Sequence, residues 1–326
     1  MATRRALLGA IGAGLVAPQL AFAQPARTVS VVVLFPGDSE DDERAARPFF
    51  NEMRRLGWVE GQNIAYERLG GRGVREYVDG LAKSAAGATP DLIYATTATI
   101  ALAVVKATDS VPVVFTMASD PVAAGLVASL ARPGRNATGA YQAPGAAVQK
   151  RFELVREAFP RLKRMGVLFD RGSPEYLQQK GTHQAAARLM GLELSEAEFT
   201  NFEAVPKILA NFRREGISAA GLAPSFTLVA RRREVGQIAA RNRIALIAHR
   251  VEWAEAGALI TYGAEIAEML KRSAAIADRI LKGARPADTP VEQATKFELI
   301  VNQRTAKTLG IKLPQSLLLR ADQVIE

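Results

Sequence analysis

The chain has 326 residues, 48% hydrophobic and 23% charged, a soluble globular balance with room for two domains of ordinary size. It contains no cysteine, which excludes disulfides, thiol catalysis, cysteine-based metal sites and a lipid on a cysteine, and its two histidines leave little for a histidine triad or metal cluster. The formal charge of +9 is spread in mixed-sign runs, and its densest cluster, Arg231-Arg232-Arg233 beside Glu234, reads as a solvated helix face, so no nucleic-acid partner is expected.

Residues 1–23 have the order of an export signal: Arg4-Arg5, an apolar run from Ala6 to Val16, and the small-x-small site Ala21-Phe22-Ala23. The run is too short to span a bilayer, so a soluble periplasmic protein is expected, exported by either the general or the twin-arginine route. Gly12-Ala-Gly-Leu-Val-Ala17 matches a dinucleotide fingerprint but lies inside this segment and follows no strand, so no nucleotide cofactor is assigned, and no cofactor of any other kind is expected.

From Thr28 the chain alternates strand and helix. Thr28 to Phe35 reads as a strand buried on both faces, 43–56 as helix, 64–67 as strand, 75–86 as helix, 92–95 as strand and 98–108 as helix. A strand to Thr116 then opens on Ser119-Asp120-Pro121, where Asp can cap and Pro start a short apolar helix over 122–130, stopped at Pro133-Gly134. After a strand at 137–141 and a break at Pro144-Gly145, a second series begins. Its strands fall at 164–170, 192–197, 219–223, 245–248 and 258–261, with helices at 147–159, 175–190, 205–215 and 228–242 between them. Two such series predict an α/β protein of two parallel βαβ lobes built alike. The tail, a helix at 264–281 and a strand-like run at 291–301, does not fit a simple tandem and implies a further crossing between lobes. Lobe 1 is expected from 28–140 plus 262–288, and lobe 2 from 141–261 plus 289–326.

In open α/β sheets, ligands lie beyond the carboxyl ends of the strands. Those ends carry Phe35, Thr96, Thr97, Ser119, Asp120, Asp170, Ser173, Ser225, Phe226, His249, Arg250, Glu252 and Tyr262. This set of hydroxyls, carboxylates, one guanidinium and aromatics suits clamping a small zwitterion or carboxylate. Asp120 or Glu252 would take an ammonium, and Thr96, Thr97, Ser225 or Arg250 a carboxylate. No activated nucleophile is evident, and His183, on a helix pattern, reads as structural. The rival reading is an exported α/β hydrolase or isomerase using Asp120, Glu252 or His249 as acid or base.

Four stretches carry a resemblance: Leu56-Gly-Trp-Val-Glu-Gly-Gln-Asn63; Ser119-Asp-Pro-Val-Ala-Ala-Gly-Leu-Val-Ala-Ser-Leu-Ala-Arg-Pro-Gly134; Glu252 to Gly263; and Pro290 to Asn302 with Ser316 to Asp322. They resemble the substrate-binding family of ABC transporters that includes tryptophan- and tyrosine-binding members, over nearly the whole chain after residue 24. Ser119 and Arg135 stand where the family usually has Gly, and Asp170-Arg171 where Asn-Pro is common. The resemblance implies a type I periplasmic-binding-protein fold, two Rossmann-like lobes with parallel central sheets joined by hinge strands, in a monomer that closes on a small solute and delivers it to a membrane permease and its ATPase, with no catalysis.

Overall fold

The computed structural model describes residues 27–37 and 39–326, so the expected export signal at 1–23 lies outside the described residues. The first lobe is built on β1 (Val29–Phe35), α1 (Ser39–Arg55), β2 (Ile64–Gly70), α2 (Glu76–Gly87), β3 (Leu92–Ala95), α3 (Ala98–Ala107), β4 (Val113–Met117) and β5 (Ala137–Tyr141). In β1 the pleat sends Val31, Val33 and Phe35 to one face and Val32 and Leu34 to the other, each into its own apolar cluster, which is why a continuous Val/Leu run was needed. Phe49 of α1 stacks on Tyr94 of β3 with ring centroids 4.0 Å apart, one of the contacts that fixes that helix on the sheet.

The second lobe comprises α4 (Pro144–Ala158), β6 (Arg164–Asp170), α5 (Tyr176–Leu189), β7 (Glu193–Phe199), α6 (Val205–Arg214), β8 (Ala219–Leu222), α7 (Phe226–Ala230), α8 (Arg232–Arg241), β9 (Ala245–Ala248), α9 (Val251–Glu255) and β10 (Ile260–Ala264). The chain returns to the first lobe for α10 (Ile266–Leu281) and β11 (Glu292–Gln293). It then crosses back for β12 (Phe297–Asn302), α11 (Gln303–Leu309), α12 (Gln315–Arg320) and β13 (Gln323–Ile325). The sheets run β11-β5-β4-β3-β1-β2 and β13-β12-β10-β9-β8-β6-β7; among the described strand pairs all are parallel except β10 with β12. This is the two-lobed α/β architecture expected, with the further crossing in the tail.

Several local readings change. Residues 122–130 form no helix: one turn closes through Ala124 N to Asp120 O, and Gly125, at φ +71°, ends it. The helix expected at 228–242 is two helices, and α9 and α12 went unread. The run 291–301 divides between sheets. Residues 289–294, expected in lobe 2, lie on the first sheet's edge, where Thr138 Oγ1 donates to Thr289 O at 2.7 Å and Val291 N to Leu130 O at 2.8 Å. Conversely 262–264, expected in lobe 1, complete β10 of the second sheet.

The three crossings lie side by side and are tied together. Gln142 Oε1 accepts from Ala264 N at 2.9 Å, Glu265 N donates to Lys296 O at 3.0 Å, and Ala294 N to Tyr141 O at 2.8 Å. Gly263 is required there, because a Cβ would strike the His249 carbonyl. The hinge is therefore a short three-stranded bundle of extended chain, narrow enough to bend while each sheet stays rigid.

Candidate functional site

The carboxyl ends of β1, β3 and β4 face those of β6, β8 and β9, and the lobes are in direct contact. Arg75, just before α2, reaches over to the second lobe. Its Nη2 is 2.8 Å from Asp170 Oδ2, and its Nη1 donates to Gly172 O. A side chain at residue 172 would meet the Arg75 guanidinium at 2.5 Å, so glycine there admits the arginine. Asp170, fully buried, also accepts from Ser225 Oγ at 2.6 Å and from Gly172 N at 2.9 Å. At a second point Arg232 of α8 pairs with Asp42 of α1 at 3.1 Å, while Gly37 N donates to the other Asp42 oxygen at 2.7 Å. Burial pushes the Asp42 carboxyl up, against the pull of Arg232. Arg232 is thus no solvated helix residue: α8 carries it inward against the first lobe, and Arg231 lies over the Phe202 ring.

Among the described residues, two small chambers lie between the lobes, beside a wider groove of ≈ 660 Å³ lined by Arg44, Arg47, Arg232, Arg233, Glu252 and Glu255. One, of ≈ 50 Å³, is lined by Thr96, Thr97, Ser119, Ser173, Glu175, Ser225, Phe226, His249 and Arg250, among others. The second, of ≈ 30 Å³, shares Thr96, Val229 and Arg250 and adds Phe35, Thr116, Trp253 and Leu270 with the Asp42–Arg232 pair. One buried water needs roughly 10–15 Å³ by this kind of measure, so the chambers hold a few waters, and a larger solute enters only when the lobes part. A third space of ≈ 10 Å³ lies behind Ser119 and His249, against Gln142, Arg151 and Gln179.

Most sequence-derived candidates come together here. Phe35, Thr96, Thr97, Ser119, Ser173, Ser225, Phe226, His249, Arg250 and Glu252 all line a chamber. Several have structural partners as well: Thr96 Oγ1 donates to Leu34 O at 2.8 Å, Thr97 caps α3, Ser225 caps α7, and Ser173 Oγ donates to Pro224 O at 3.2 Å. Phe226, on the second lobe, packs into the first lobe's apolar cluster. Arg250 holds Glu252 through Nη2–Oε1 at 2.6 Å and Nε–Oε2 at 3.2 Å. Burial would raise Glu252, but the guanidinium carries it below the usual carboxylate range. Burial likewise drives His249 well below its ordinary value, with Arg151 and Arg250 adding to the shift, so its ring is neutral and its Nδ1 has no partner.

Three candidates fall outside the chambers. Asp120 accepts from Val122 N at 2.8 Å and Ala123 N at 3.2 Å, so it is spent as a turn cap. Asp170 is consumed by the lobe contact just described. Tyr262 stacks on Phe297, centroids 5.8 Å apart, and its carbonyl accepts from buried Arg151 at 2.8 Å. His183 is structural as read: its Nδ1 lies 2.7 Å from Gln179 O, its ring packs edge-on to Phe152 and Phe169, and burial lowers it to about 4. Sequence reasoning missed Arg75, Glu175, Asp42, Arg232 and Trp253. Arg75 and Glu175 each precede a helix and looked like ordinary helix-start residues; only the partner across the cleft distinguishes them.

Two hinged α/β lobes closed over a polar, partly aromatic cleft define a receptor that encloses a small molecule. Residues 28–325 match the family model described as ABC transporter substrate binding protein, and the chain belongs to that family. A tyrosine-binding protein of Clostridioides difficile (strain R20291) is 25% identical over 270 residues, 83% of this chain and 77% of that protein. Among solved structures, a conserved domain protein from Vibrio cholerae superposes with a TM-score of 0.84 at 24% identity, covering 91% of this chain and all of that one. An ABC domain in complex with L-Trp from Streptococcus pneumonia gives 0.83 at 22%, again over 91% and 100%. The last two establish the fold. Among the described residues no helix is long and apolar enough to cross a membrane.

Proposed function

We propose that the solute is an amino acid, and that the protein serves as the extracytoplasmic, periplasmic receptor of an importer, acting as a monomer without catalysis and handing its cargo to a permease and its ATPase. The observation that carries this reading is the pairing of unlike charges around one small chamber: Arg250 and Glu175 both line it, among Thr96, Thr97, Ser119 and Ser225. A guanidinium already oriented by Glu252 suits an α-carboxylate, and Phe35, Phe226, Val229 and Trp253 offer the apolar surface a side chain would occupy. The tyrosine-binding relative and the L-Trp complex support an amino acid. Ligand contacts made with both lobes favour the closed state, and that state is what a permease reads.

A thermal-shift panel of the standard L-amino acids, run after unfolding and refolding to strip carried-over ligand, tests this. The cognate solute at a hundred times its dissociation constant should add about 2.7 kcal/mol of stability. A panel in which carboxylic acids or nucleosides shift the melting point and no amino acid does would overturn it, and turnover of a binder would remove the receptor role.

A further inference from the structure

Five carboxylates are buried among the described residues: Asp42, Asp170, Glu175, Glu252 and Asp278. Four have a bonded cation, respectively Arg232, Arg75, Arg250 and Lys282. Glu175 has none. Its Oε1 accepts from Ser119 Oγ of the opposite lobe at 2.6 Å. Arg75, whose charge opposes the effect of burial on Glu175, is committed to Asp170 and Gly172. Arg250 shares its chamber but is held by Glu252, and His249, also there, is neutral. Burial accordingly raises the Glu175 carboxyl.

A buried carboxylate that faces a cavity and lacks a counter-ion is costly unless something in the cavity supplies the charge. We infer that Glu175 is the counter-ion for an organic ammonium on the solute, and that its uncompensated charge opposes closure of the empty lobes until that ammonium arrives. The second part follows from position: Glu175 sits at the start of α5 in the second lobe and is buried beside Ser119 of the first, so opening the cleft rehydrates it. Ser119 then orients the carboxylate and the ammonium neutralises it. His249, 2% exposed, lines the same chamber and carries an unpartnered Nδ1. This inference rests on the solute lying in this cleft, and not on which amino acid it is.

The experiment pairs Glu175→Gln with the wild type in two measurements. In ligand-free protein, small-angle scattering should give a smaller radius of gyration for the Gln variant, because closure no longer buries a charge; an unchanged or larger value overturns the gating role. In calorimetry, L-tyrosine, L-tryptophan and any other amino acid that binds are compared with the acid lacking the α-amino group and the amine lacking the carboxylate. Glu175→Gln should weaken amino acid and amine by about a hundredfold and tighten binding of the amine-free acid, whose enclosure no longer buries an uncompensated charge. Equal wild-type affinity for the amino acid and its amine-free acid, or unaltered amino-acid binding by the variant, overturns the ammonium site. If no amino acid binds the wild type, the reading of the solute falls, while the scattering still decides the role of Glu175 in closure.

Discussion

The polar side-chain contacts across the cleft are of two kinds. Arg75 with Asp170, and Arg232 with Asp42, are complete ion pairs in which each buried carboxylate also accepts a backbone N–H. Ser119 with Glu175 crosses the same cleft with a neutral donor on a charged acceptor and no cation. Satisfied pairs hold surfaces together, because their desolvation is offset by Coulomb attraction and hydrogen bonds already present in the protein. The unsatisfied contact has that term missing, and the chamber in front of it is where the missing charge would come from. The molecule thus satisfies its latches internally and leaves one group in the site unmatched.

Breaking the satisfied side most severely, Asp170→Ala removes the acceptor for Arg75, Ser225 and Gly172 N at once. It should cost about 3 kcal/mol, measured by urea unfolding, since the turn after β6 and the Ser225 cap share this group.

A smaller effect should follow from Arg232→Met, which leaves Asp42 to be buried on closure with only the Gly37 N–H. Asp42 is already raised by burial, and losing the guanidinium raises it further. A carboxyl whose closed-state value lies above its solvated value binds a proton more readily when closed, so closure is favoured at low pH and is lost as pH rises through the raised value. The variant should therefore bind its amino acid about thirtyfold more weakly near pH 7.5, equivalent to about 2 kcal/mol, with the deficit shrinking toward pH 4 to 5. A deficit that grows on acidification would assign Asp42 a different role.

The mildest test sharpens the comparison from outside it. Asp120→Ala should lower stability by about 1 kcal/mol, the usual value of a lost cap, with amino-acid affinity unchanged. A loss of affinity would bring Asp120 back into the site.

Much of the architecture was legible in the residues because strand and helix here are set by local pattern. The runs at 29–35, 92–95, 164–170 and 245–248 are apolar on both faces of the pleat and so could only be central strands between helical layers. The rule that ligands lie beyond strand ends then gathered ten chamber residues without any coordinates. Where local pattern was ambiguous it misled: Val122 to Leu130 is apolar and follows an Asp-Pro start, but Gly125 takes a left-handed conformation and closes a single turn. Glu298, at the hinge crossing, was not singled out at all, although burial and the nearby Glu265, Glu252 and Asp322 raise it to about 7.

By itself the sequence determined the layers, the strand ends and the family, because hydrophobic period, turn residues and motif order are properties of neighbouring positions. Only the tertiary structure decided which charge meets which. Asp120, Asp170 and Glu175 are each an acid beside a strand-end turn, yet one caps its own backbone, one is latched by an arginine 95 positions away, and one is left without a cation. A carboxylate's role follows from the counter-charge and water around it, and in this protein both are set by residues distant in the chain that closure of the lobes brings together.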